Sequence, residues 1–94
     1  MSKKKVKRDA ALVSDLTRRT NRIEGQIRGI TRMVNEDVYC DDILHQIIAA
    51  KAALNAVSKL LLKNHMQTCL VDGIKDNNEA IIDEVLATIG KMIK

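Results

Sequence analysis

Between Val38 and Asp72 the sequence contains neither glycine nor proline, the two residues that most readily interrupt a helix. A helix over that stretch is roughly 50 Å long, more than the rest of a chain of 94 residues can cover. The expectation is therefore a long second helix that packs against another copy of itself. Asn35 or Asp37 is placed to cap its start, and Gly73 to stop it. The chain has no Pro, Phe or Trp and a single Tyr, so its core must be aliphatic, and the fold class is all-α.

Shorter helices are expected on either side. From Ala10 to Asn35, Leu12, Leu16, Ile23, Ile27, Ile30 and Val34 recur at helical spacings and mark one apolar stripe. After Asn77 or Asn78, either of which suits a cap, Ile81, Ile82, Val85, Leu86, Ile89 and Ile93 form another. Residues 1–9 read as a basic flexible tail and 10–94 as one helical domain. Two cysteines, no signal peptide and no apolar run that spans a bilayer point to a reducing cytoplasm without membrane contact.

The long helix carries three residues with metal-binding chemistry. His65 and Cys69 are four apart, on one face and about 6 Å from each other, where an imidazole and a thiolate can share an ion. Cys40 is on the same stripe but roughly 37 Å away along a continuous helix, out of reach within one chain. An antiparallel second copy solves this. With the two-fold axis near Ala53 and Leu54, in the small-residue run Ala49-Ala50-Lys51-Ala52-Ala53, each Cys40 faces the partner's pair and a dimer holds two equivalent sites. Two sulfurs and one nitrogen suit Cu(I), whereas a structural zinc site wants a fourth protein ligand. Spacing alone equally fits cysteines buried as small apolar residues and a histidine with a structural bond. His45 falls off this stripe and reads as structural or exposed.

A positive face is the second candidate surface. The formal charge is +4, with the excess in the first third of the chain. Arg18, Arg22 and Arg32 share one side of the first helix, Arg28 flanks them, and Lys51 and Lys59 extend the charge. Gly25 and Gly29 lie among the arginines although each costs roughly 1 kcal/mol in a helix interior relative to alanine. Close approach of a phosphate backbone or of a second dimer accounts for that cost, and arginines are suited to phosphate. No helix-turn-helix spacing, zinc-finger pattern or aromatic stacking platform is present, so such a face would read DNA in an unusual way. A solvated charged face is the alternative.

RRTNRIEGQIRGI from Arg18 to Ile30, MVNEDVYCDDILHQI from Met33 to Ile47, the central AAKAAL and HMQTC from His65 to Cys69 resemble the copper-responsive branch of the CsoR/RcnR family. The resemblance implies a three-helix protomer, an antiparallel four-helix-bundle dimer and a dimer-of-dimers tetramer. It also implies a repressor whose metal-free form binds a GC-rich, pseudo-palindromic, double-stranded operator of copper-efflux genes and lets go on binding Cu(I). Cys40 would come from one protomer, His65 and Cys69 from the other. Tyr39 and Glu84 resemble a pair supporting the ligands, Glu84 standing one position short of the family spacing, and Arg18, Arg19 and Arg22 match the operator-binding region. The nickel and cobalt sensors carry more histidines, the persulfide sensors lack the one at His65, and the formaldehyde sensors have an N-terminal proline that this chain lacks.

Two other readings use the same residues: a thiol-redox or persulfide-responsive repressor joining Cys40 to Cys69, and a cytosolic copper-binding buffer protein. No nucleophile and base pair, and no open metal site with an acid/base carboxylate, suggests an enzyme or a small-molecule substrate.

Overall fold

A computed structural model describes residues 6–93; the basic segment 1–5 lies outside them, as does Lys94. Among the described residues every regular element is helical, so the chain is all-α. Helix α1 runs Ala10–Asn35, α2 runs Cys40–His65, a π-helical turn occupies Met66–Leu70, α3 is Val71–Lys75, and α4 is Glu79–Met92. The chain divides into two compact units, one ending at Val57 and the other beginning at Ser58.

In the first unit, α1 ends in a tight backbone motif. The Val38 N–H donates to the Met33 carbonyl at 3.0 Å and the Asp37 N–H to that of Val34 at 3.4 Å, with Asp37 at φ 54°. This is the Schellman arrangement, and an aspartate, whose short side chain tolerates left-handed backbone, serves where glycine is usual. Asp37 therefore terminates the first helix rather than capping the second. Asn35 is the last residue of α1 and bonds back to the Thr31 carbonyl. The first helical bonds of α2 go instead to the carbonyl of Tyr39, from Asp42 at 3.0 Å and Ile43 at 3.3 Å. Ile23 on α1 and Ala50 on α2 are this unit's buried apolar positions.

The second unit corrects the expected end of the long helix. Helical backbone continues through the π turn, with His65, Leu70 and Val71 all at right-handed helical angles, and passes through Gly73 instead of stopping there. The stop comes four residues later, where Asn77 takes φ 56°. The Asn78 N–H closes on the Gly73 carbonyl at 2.7 Å and that of Asn77 on the Ile74 carbonyl at 3.1 Å, a second Schellman motif. Gly73 is needed for packing: it is buried, and a Cβ there would collide with Cγ2 of Ile81. Asn78 caps α4, its side chain accepting from the Ala80 N–H at 3.2 Å. Ile81 and Val85 form the buried centre of this unit.

Much of the apolar surface stays outside. Ile27 and Val34 of the α1 stripe are exposed, as are Leu44, Ile48 and Leu54 on α2 and Leu86 and Ile93 of the last apolar stripe. Exposed apolar residues at this density are the kind of surface that association would cover.

Candidate metal centre

His65 ends α2 and Cys69 sits within the π turn that follows it, both half-buried. A π turn closes bonds five residues apart rather than four and occurs mostly as single turns at functional positions. The four-residue spacing of His65 and Cys69 implies one face only on an uninterrupted α-helix; the wider turn changes the angular relation of the two side chains while keeping them on one helical path. Part of what accompanies this turn is visible in Thr68, whose hydroxyl donates to the Asn64 carbonyl at 2.8 Å. Threonine hydroxyls that bond back to a carbonyl four residues earlier commonly bend helices.

Both cysteines are free thiols. Cys40 is exposed at the first position of α2 and Cys69 is half-buried. His65 makes no ion pair among the described residues. Cys40 belongs to the first compact unit, His65 and Cys69 to the second, and among the described residues no three metal-binding side chains gather within the protomer. The donor types fit a soft, low-coordinate ion: cysteine sulfur and imidazole nitrogen, with no carboxylate bonded to either among the described residues.

Around these donors, Tyr39 is the residue before Cys40 and is 74% exposed, while Glu84 lies on the exposed side of α4. His45 is exposed too, its Nε2 3.2 Å from the Asp41 carboxylate one turn back, which accounts for it without a metal. A contact that the spacing did not flag is that of Thr68, whose hydroxyl also lies 3.6 Å from Cys69 Sγ.

On α1 the arginines are not equivalent. Arg18 and Arg19 both bond Asp15 Oδ1, at 2.6 and 3.0 Å. The Arg19 hydrogen bond foremost, with the charges of both guanidiniums, holds the Asp15 carboxyl below its ordinary range against a smaller opposing effect of burial. Arg28 pairs with Glu24 at 3.0 Å. Arg22 and Arg32 are exposed and make no ion pair among the described residues, and Lys51 is likewise exposed on α2. The expected positive face is thus partly neutralised, its free charge resting on Arg22 and Arg32. Gly25 and Gly29 have open space where a side chain would stand. Among the described residues no helix is long and apolar enough to cross a membrane.

Residues 13–91 match a family model described as metal-sensitive transcriptional repressor. Over 80 residues, 84% of this chain and 79% of the relative, the sequence is 46% identical to a copper-sensing transcriptional repressor, CsoR, of Bacillus subtilis (strain 168). The fold superposes with a TM-score of 0.88 on the Cu(I)-bound copper-sensing repressor CsoR of Geobacillus thermodenitrificans NG80-2, at 35% identity over 96% of this chain and 95% of the other. It also resembles the nickel-responsive transcriptional regulator InrS, with a TM-score of 0.71 and 30% identity over 98% and 97% of the two chains.

Proposed function

The chain belongs to the metal-sensitive transcriptional repressor family, and on that premise we propose that it is a cytoplasmic Cu(I)-responsive repressor, not an enzyme, whose metal-free form holds operator DNA and whose Cu(I)-bound form releases it. The observation that carries the choice of metal is the donor set: His65 and Cys69 sit half-buried on one helical path, and Cys40 is free and exposed at the other end of α2. Two sulfurs and a nitrogen favour Cu(I) over the harder divalent ions, which take more nitrogen and oxygen. The likeness to copper-sensing relatives agrees with this.

In this reading the site is shared between protomers. Cys40 of one copy meets His65 and Cys69 of another across antiparallel α2 helices, and the apolar residues left exposed on α1 and α2 become the interior of a four-helix bundle. Two such dimers form the tetramer. A site built from both copies responds to how they are arranged, and arrangement also sets the spacing of the two α1 arginine faces against DNA. Tyr39 and Glu84 support the ligands, and Arg18, Arg19, Arg22, Arg28, Arg32 and Lys51 supply the phosphate-facing charge.

The test is an anaerobic titration on a duplex selected from a random-sequence pool by the metal-free protein, with and without Cu(I). Wild type binds tightly at low salt and dissociates at about one Cu(I) per protomer. His65→Ala binds the same duplex and no longer dissociates. Retained release in His65→Ala refutes the ligand assignment, and release by an oxidant or persulfide donor but not by Cu(I) selects the thiol-sensing alternative.

A further inference from the structure

The Thr68 hydroxyl stands between two acceptors, the Asn64 carbonyl at 2.8 Å and Cys69 Sγ at 3.6 Å. Thr68 and Cys69 both belong to the π turn, and the bond to Asn64 reaches back into the last turn of α2. From this geometry we infer that Thr68 is a positioning residue for the Cys69 sulfur, a role that rests on Cys69 being a Cu(I) ligand.

The bond to Asn64 fixes the threonine χ1, since a β-branched side chain has few alternatives on a helix. Its oxygen is thereby held beside Sγ, one residue along, within the longer hydrogen-bond range of sulfur. The hydroxyl carries one proton and serves one acceptor at a time. A sulfur that holds a metal would be negatively charged and accept more strongly than a thiol, so in the loaded site the hydroxyl proton would favour Sγ while the branched side chain keeps its helical rotamer. Hydrogen bonds of this kind orient a ligating atom and tune its donor strength. Gln67 and Met66 in the same turn make no side-chain hydrogen bond among the described residues, so within this turn the contact to Cys69 is Thr68's.

The experiment compares Thr68→Val, which keeps the branched shape and removes the hydroxyl, with Thr68→Ser, which keeps the hydroxyl. Cu(I) affinity is measured by competition with a chromogenic chelator, and the ultraviolet absorption of the Cu(I)-thiolate centre gives a second readout. Thr68→Val is expected to lose about tenfold or more in affinity and to shift the absorption, while its metal-free operator binding and helicity match wild type. Thr68→Ser is expected to restore both copper readouts. Wild-type copper binding and spectrum in Thr68→Val, or a Thr68→Ser as impaired as Thr68→Val, overturns the inference. If Thr68→Val fails to fold, Thr68→Ala against Thr68→Ser decides in the same way. Cys69→Ala separates the two levels of the claim. Undiminished Cu(I) binding there removes the ligand assignment and Thr68's role with it, whereas lost binding there beside a normal Thr68→Val removes Thr68 alone.

Discussion

Gly73 and Ile81 pack so closely that a single methyl group at Gly73 would overlap Cγ2 of Ile81. Cγ2 is attached directly to the branch point of a stiff side chain, and Ile81 is itself buried, so the overlap is not relieved by a rotamer change. Gly73→Ala gains about 1 kcal/mol of helix propensity and loses roughly 1–3 kcal/mol to overpacking. The expected net result is a lower urea midpoint for the variant. An equal or higher midpoint means that α4 shifts freely against α3.

Gly25 and Gly29 pose the opposite case, because nothing among the described residues occupies the space beside them. Replacing both with alanine is expected to stabilise the helix of the metal-free protein, by up to about 1 kcal/mol per site, and, if the proposed DNA backbone approaches this open space, to weaken operator binding. Operator affinity equal to wild type in a correctly assembled double variant removes the glycines from the DNA face.

The paired and unpaired arginines of α1 make separable contributions. Arg22→Ala is expected to weaken operator binding uniformly across sequences and to reduce the salt slope by about one per contacting protomer, with Cu(I) affinity unchanged. Asp15→Asn releases Arg18 and Arg19 from their shared carboxylate and is expected to tighten DNA binding at low salt. The same pairing sets a sign for pH. Asp15 has a lowered folded-state pKa, so its contribution to stability is present above the ordinary carboxylate range and is lost as pH falls below about 4. The difference in stability between wild type and Asp15→Asn should therefore narrow on acidification; a gap that widens would contradict the ion pairing.

These contrasts show where sequence patterns carry structural information. Helix identity was legible because apolar spacing and the absence of proline leave few alternatives, and a cap at Asn77 or Asn78 was recognisable from their position before a periodic segment, though not which of the two serves. Helix ends were less legible. Glycine at position 73 satisfies the stop rule as well as the close-packing rule, and only the proximity of Ile81 separates them. Asp37 and Asn77 in left-handed backbone look like any other polar residue near a helix boundary. The π turn at Met66–Leu70 leaves no periodic trace in five residues. Of the candidate site, His65, Cys69 and Cys40 were visible by residue type and spacing. Arg18 and Arg19 sharing Asp15, and Thr68 reaching Cys69, depend on rotamers that composition does not encode.

A site divided between copies makes a prediction that no single-chain site shares. In a dimer that pairs Cys40→Ala with His65→Ala, one site combines the intact Cys40 of the second variant with the intact His65 and Cys69 of the first. The other site lacks both Cys40 and His65. Each variant alone is expected to bind Cu(I) poorly. Mixed in equal amounts, unfolded and refolded together, half of the dimers are heterodimers with one good site of two, so capacity recovers to about a quarter of wild type. Chelator competition on the refolded mixture measures it, against a mixture combined without unfolding. Were each protomer to supply all of its own ligands, the refolded mixture would bind no more than the average of its parts, because pairing broken sites would complete none of them. Recovery of capacity together with Cu(I)-dependent release from DNA would place sensing in the contact between two copies of α2.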